Sequence, residues 1–485
     1  MLSPNPSNEE ELEMNDISNN QSISSDPDNG HEIYTNEEDI KTTESQSTNS
    51  TDNISSVRAS SNEENDNIDA IEEKPIKSSS LIFIITVFKL LNAQLGAGIL
   101  SVPSTFIDTG IIPSIILLFL IMILSYVCTA IVISLAKEKK IKTLHKLTES
   151  ILKKPCSILL SILNLVFLNA CMTAYLILGG DMITSWFDLG GIDISTRTNH
   201  AIMILIYSLC IPVMLTIPRS TKVLNYISNA TVVSVTYFIV ILLVKFGNFY
   251  KGNHNHINST CRIWKLDMSI FSSLSIYGLS FALPAVVLPP MSDFKEGMNK
   301  QKIVAFFGVF ICFILVVISG FMGYSIFGDA TDGNILKSFN SNDVLIIICR
   351  IAFFVIISCI YPMFSASAIP LWSNFIYHES EPNENLTNGK RLVIIVLNSI
   401  IPVPLAMFLP TAKPIFSIGG AFGGCIVNFI FPCLMYIVNS WSNNKWYNLK
   451  YLMLYFCILF GAVTCIFSTY QAILDAIDSL KNASN

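Results

Sequence analysis

Eleven runs of roughly 20 apolar residues, separated by short polar segments, leave this 485-residue chain one economical way to fold, as a bundle of helices crossing a bilayer. The runs lie near 80–109, 111–136, 156–187, 200–217, 223–246, 268–290, 303–327, 343–370, 391–410, 413–438 and 450–474. Only 246–267 and 371–390 separate them by about 20 residues, so no soluble catalytic domain fits between spans. An all-α integral membrane protein of eleven spans is expected, and not an enzyme, because clustered nucleophiles and metal-ligand motifs are missing from the sequence.

Charge divides the chain unevenly. Residues 1–76 hold 19 acidic against three basic residues, a net −16, while the remainder carries +10. The first segment is rich in Ser, Asn, Asp, Glu and Thr and too poor in apolar residues to offset the entropy of ordering, so it is expected to be a disordered tail. Its start lacks the basic and apolar regions of a signal peptide, so the first span is expected to direct insertion. The expected domains are thus a tail over 1–76, a transmembrane domain over 77–476 and a short exterior tail over 477–485. Placing the N-terminus in the cytoplasm puts 18 Lys and Arg on that side and eight on the other, and loops rich in cations stay inside. The sequon at Asn258 then falls in the longest exterior loop and is a glycosylation candidate, whereas the one at Asn385 faces the cytoplasm.

Twelve cysteines point to no framework: eleven lie in or beside apolar runs as small hydrophobes, and no pair has zinc-ligand spacing. Neither a metal site built from Cys nor a structural disulfide is expected.

Two runs, five apart, contain helix breakers near their middles. The first reads Asn92-Ala93-Gln94-Leu95-Gly96-Ala97-Gly98-Ile99-Leu100-Ser101-Val102-Pro103, the sixth Ser280-Phe281-Ala282-Leu283-Pro284-Ala285 and on to Pro289-Pro290. Broken backbone is tolerated in hydrocarbon only where it lines a cavity or is covered by protein. Its freed N–H groups suit a carboxylate and its freed carbonyls an ammonium or a cation. Close helix packing is the alternative for Gly96 and Gly98, but two breaks in corresponding positions favour a binding site. Elsewhere, Arg350 lies about seven residues into the eighth run, roughly 10 Å from its outer end, and is expected to snorkel outward. Lys89 is expected to reach the inner interface, and Asp181 to lie near the exterior end of the third run. His145 sits in a basic amphipathic stretch, 137–154, expected at the inner surface. Gly419, Gly420, Gly423 and Gly424 have the spacing of close helix packing.

At these residues the sequence resembles the amino acid/auxin permease family of the amino acid–polyamine–organocation superfamily, over about 80–474. The first-helix motif NAQLGAGILSVP and the sixth-helix SFALPAVVLPPMSDF with Asp293 carry the likeness, with AYLILGGDMI, GYSIFGDATDGNIL, YPMFSASAIP and FSIGGAFGGCIVNFIFP in the family's order. The resemblance implies a five-plus-five inverted repeat of the leucine-transporter kind with an eleventh helix. It also implies uptake or efflux of amino acids driven by a sodium or proton gradient; with no Asp, Glu, Lys or Arg around the breaks to face a ligand side chain, small or medium neutral amino acids are the expected substrates. Position by position it assigns Gly96, Ala97 and Gly98 to the substrate carboxylate and Ser280, Phe281 and Ala282 to its ammonium. By likeness to sodium-coupled neutral amino acid transporters, Asn92 is the sodium candidate, with Ser358 as an eighth-helix hydroxyl partner. Pro370 is followed by Leu371 and Trp372 where those relatives often have Arg, so proton coupling stays open. No cofactor beyond the coupling ion and no nucleic-acid partner is expected, and the oligomeric state is open. The membrane is expected to be the plasma membrane or an endolysosomal or vacuolar one. A sensor signalling through the acidic tail is the alternative function.

Overall fold

The structure, a computed structural model, describes residues 79–192, 196–219, 230–254, 256–291, 294, 296–377, 386–440 and 449–482. The expected acidic tail, Asp293 and the Asn385 sequon lie outside them. Among the described residues every regular element is helical. Nine helices among the described residues are long and apolar enough to cross a membrane, and they coincide with the second to fifth and seventh to eleventh runs. The remaining two runs form shorter apolar helices, Ser80–Gln94 and Ile270–Val286. Their breakers end them early.

The elements needed below are α1 (Ser79–Gln94), α2 (Val102–Thr109), α3 (Ile111–Lys139), α4 (Leu144–Leu189), α5 (Arg197–Ser208) and α6 (Thr231–Gly252). After them come α7 (Ile270–Ser280), α8 (Leu283–Val286), α9 (Met298–Phe327), α10 (Val344–Tyr377), α11 (Asn388–Ile400), α12 (Lys413–Gly419), α13 (Phe431–Asn439) and α14 (Leu449–Asn482). Burial separates a central pair from a lipid-facing rim. The apolar windows of α4 and of 413–439 are 56% and 67% buried, whereas that of 198–216 is 22% buried. A helix hydrophobic all round and buried is a core element; one with an apolar outward face meets lipid. The last helix continues past residue 476 to Asn482, so the expected exterior tail begins as helix.

Local chemistry explains the joints. Gly110, at φ 79°, turns α2 into α3, and a Cβ there would stand 3.0 Å from backbone atoms of Arg262, Trp264 and Lys265. Only glycine combines that dihedral with so close an approach. Lys153 breaks helical geometry just before Pro155, so the amphipathic stretch folds as the first two turns of α4 and then bends into the span. His145, on that stretch, lies 2.9 Å from both Ser157 Oγ and Ser161 Oγ across the bend.

One expectation is corrected. Arg350 does not snorkel outward: it is 1% exposed, and its Nη2 donates to Leu336 O at 2.8 Å and Phe339 O at 3.1 Å. The segment after α9 folds over the outer end of α10 as a short helix, Ile335–Ser338. Its last carbonyls therefore reach the guanidinium before water does, and a helix C-terminus favours a cation.

Candidate functional site

The first break follows from composition. At Leu95, N–H still donates to Leu91 O at 2.7 Å, but Gly96 is extended (φ −108°, ψ −166°) and the next turn is a tight one over Ala97–Leu100. Pro103 then opens α2 within its first turn, where its missing N–H costs nothing. In the sixth run α7 ends at Ser280, and Leu283 and Pro284 restart the helix as α8. Here Phe281 O accepts Ser125 Oγ at 2.7 Å, and Ser280 O accepts the Cys312 thiol at 3.5 Å. Neighbouring helices thus satisfy backbone that the break frees, as hydrocarbon demands. A buried residue missed by sequence reasoning bridges this break. Asn428 Oδ1 accepts Ala285 N–H at 3.2 Å, while its Nδ2 donates to Gly278 O at 3.5 Å. An amide in the otherwise apolar stretch Gly424–Pro432 was the available signal.

The two interrupted helices pack half against half: α1 meets α8 and Leu288–Met291, and α2 meets α7. They therefore run antiparallel with their breaks side by side. Beside the breaks lies a cavity of about 490 Å³. From α1 it is lined by Lys89, Asn92, Ala93 and Gln94, then by Leu95 and Gly96 at the break, and from α10 by Ile360, Met363, Phe364 and Ser367. The α10 set has the i, i+3, i+4, i+7 spacing of one helix face. Tyr175 on α4 stacks on Phe364 (5.5 Å between ring centroids) and meets Phe416 edge-on at 6.2 Å. A Cβ on Gly96 would lie 2.4 Å from Tyr175 Oη, so glycine there admits the tyrosine; Gly98 faces open space.

Of the residues expected at the site, Gly96, Gly98, Ser280, Ala282 and Asn92 line this cavity. Ala97 lies in the tight turn between its neighbours, and Phe281 is fully buried outside the lining. Ser358 is not brought to Asn92: its Oγ is 3.0 Å from Tyr207 Oη, and it falls off the cavity-facing stripe of α10, where Ser367 supplies the hydroxyl. Lys89 also departs from expectation. It lies three residues before Asn92, on the same face, and lines the cavity. Among the described residues it is the one charged side chain in that lining.

The far half is closed by polar contacts. Thr105 Oγ1 donates to Tyr277 Oη at 2.9 Å, and Ser273 Oγ to Asp108 Oδ2 at 3.0 Å. Lys413 Nζ, at the start of α12, lies 2.7 Å from the same carboxylate oxygen. Asp108 is a second residue that sequence reasoning passed over; an acid inside an apolar run was the signal. Near the same end, Asp181 is 5% exposed and faces Lys337 Nζ at 3.6 Å and Asn334 Nδ2 at 3.4 Å. Its carboxylate holds the Lys337 ammonium above its ordinary range. Asn258, in the loop before α7, donates its amide to Ile326 O at 3.1 Å.

Comparison with known proteins identifies the family. Residues 80–474 match the family model described as "Transmembrane amino acid transporter protein". The chain is 22% identical over 384 residues to sodium-coupled neutral amino acid transporter 7 of Xenopus laevis, covering 75% of this chain and 83% of that one. It is 24% identical over 432 residues to vacuolar amino acid transporter 2 of Saccharomyces cerevisiae, covering 84% and 86%. With sodium-coupled neutral amino acid symporter 2 of Danio rerio it shares 23% identity over 396 residues, 75% and 77% of the two chains. The family match spans nearly all the membrane helices and both interrupted ones, and the chain belongs to the transmembrane amino acid transporter family.

Proposed function

We propose that the chain is a secondary active transporter of small neutral amino acids, working by alternating access and coupled to a sodium or proton gradient. One observation carries this reading: two antiparallel interrupted helices place their breaks together beside a cavity of about 490 Å³ with aromatic walls and, among the described residues, a single charged side chain. In this reading the nine long helices and two interrupted ones make eleven crossings, with spans one to five and six to ten as inverted repeats. Gly96 and Gly98 receive the carboxylate, and the backbone of 280–282 the ammonium. The lining runs from the breaks towards Lys89 and Pro289, while Asp108, Lys413, Thr105 and Tyr277 join on the other half. That asymmetry fits a state open towards the N-terminal side and closed on the opposite one. Relatives named as sodium-coupled and as vacuolar transporters support sodium as a candidate coupling ion and the vacuole as a candidate membrane. The deciding experiment is uptake into proteoliposomes from an amino acid panel, with sodium and proton gradients imposed separately. No uptake of any amino acid under either gradient overturns the reading.

Topology is tested by epitope tags at both ends. The distribution of Lys and Arg predicts the N-terminal tag on the cytoplasmic side and the C-terminal tag on the exterior or lumenal side. Labelling of both from one side refutes the eleven crossings.

Asn92→Ala addresses the ion. With Asn92 as a sodium ligand, the variant needs at least about tenfold more sodium for half-maximal transport, the loss of roughly 1.4 kcal/mol, with a smaller change in substrate affinity. Wild-type uptake that ignores sodium and follows pH removes that role and leaves Asn92 as a partner of unwound backbone.

A further inference from the structure

Away from the cavity, three helices bring three thiols together. Cys128 on α3, Cys433 on α13 and Cys457 on α14 are each fully buried, and their sulfurs all lie within 4.8 Å of one another. Cys128 Sγ and Cys433 Sγ are 3.8 Å apart. Among the described residues no other three His, Cys, Asp or Glu side chains gather their ligand atoms so closely. We propose that this trio binds a soft, closed-shell cation, copper(I), through sulfur alone.

Spacing supports this first. A metal–thiolate bond is about 2.3 Å, so three sulfurs in a plane around one ion stand about 4.0 Å apart. The trio is close to that triangle already, and a small inward movement completes it. Chemistry supports it second. Thiols are soft ligands that select copper(I) over the hard cations, which require oxygen. The site is therefore separate from any sodium site beside the cavity, and none of its members lines that cavity. Coordination number decides between copper(I) and zinc: structural zinc takes four ligands, whereas the cluster among the described residues offers three sulfurs. Each thiol that coordinates gives up its proton to solvent on binding, with no change of oxidation state. Single thiols placed merely as small hydrophobes would not need to converge from three helices. Bound metal would tie α3 to α13 and α14, and the burial of its ligands would make exchange slow.

The test uses the full chain, purified in detergent under reducing, anaerobic conditions, loaded with one equivalent of copper(I) and titrated with a chromophoric copper(I) chelator. The wild type should retain close to one copper, with Cys433→Ala and Cys457→Ala each surrendering it at tenfold or more lower chelator concentration. Cys210→Ala, an exposed cysteine outside the trio, should match the wild type. Size-exclusion profiles without copper identify any variant that misfolds. X-ray absorption of the loaded wild type then stands independently: three sulfur neighbours at about 2.2–2.3 Å are expected. A wild type that yields copper as readily as Cys433→Ala, or nitrogen and oxygen neighbours in the absorption spectrum, overturns the site.

Discussion

Gly420→Ala is expected to remove nearly all folded protein from the membrane. A Cβ at Gly420 would lie 2.0 Å from Ser275 O and 2.5 Å from Ser275 C, on the backbone of α7. One turn on, a Cβ at Gly424 would stand 2.6 Å from Gly278 C and 2.7 Å from Leu279 N. These are main-chain atoms of a helix, so no rotamer change relieves the clash; the two helices must part. Overpacking typically costs about 1–3 kcal/mol when side chains can yield, and here they cannot. Parting them also pulls Asn428 from Ala285 and Gly278, loosening the break in the sixth run. Monodisperse protein recovered by size-exclusion should fall at least about tenfold, each factor of ten being roughly 1.4 kcal/mol. Gly98→Ala is the control: a Cβ there meets nothing within 4 Å, so yield should hold while transport changes. Normal yield of Gly420→Ala would refute the tight crossing.

Substrate charge should produce an effect as large. Among the described residues Lys89 is the one charged side chain in the cavity lining, and an arginine substrate would bring a second cation beside it. Burying a charge without a counter-charge costs several kcal/mol even after relaxation, or roughly a thousandfold in affinity. Alanine, glutamine and leucine should therefore compete against a labelled neutral substrate at least about a thousandfold better than arginine. Glutamate is the second charged competitor to run. Glutamate or arginine outcompeting alanine overturns the neutral preference, and Lys89→Met would then identify whether Lys89 is the partner. Walls of Tyr175, Phe364 and Phe416 suit an apolar or amide side chain in either case.

Hydropathy and breakers are local properties, so the sequence alone located every apolar run, the two interrupted helices and the backbone around Gly96, Gly98, Ser280 and Ala282. Glycine and proline act within one turn, so Gly96 and Pro284 mark where a break is possible, although Pro362 and Pro370 lie inside an unbroken α10. The family motifs lie in the same stretches, and so the family too was legible.

Which faces meet was not. Ser358 and Ser367 are both hydroxyls in one apolar run, and only the rotation of α10 against its neighbours turns Ser367 to the cavity and Ser358 to Tyr207. Lys89 was placed by the rotation of α1, and Arg350 by a loop that folds back over its helix and offers carbonyls. Lys413 finds Asp108 across 305 residues, and three thiols from separate spans converge. Contacts of such sequence separation are set by how helices pack, and residues 20 Å apart along a span carry no local mark of who will face them. The sequence by itself therefore determined the crossing segments and where their backbone opens; the packing of those segments decided which side chains the opening exposes.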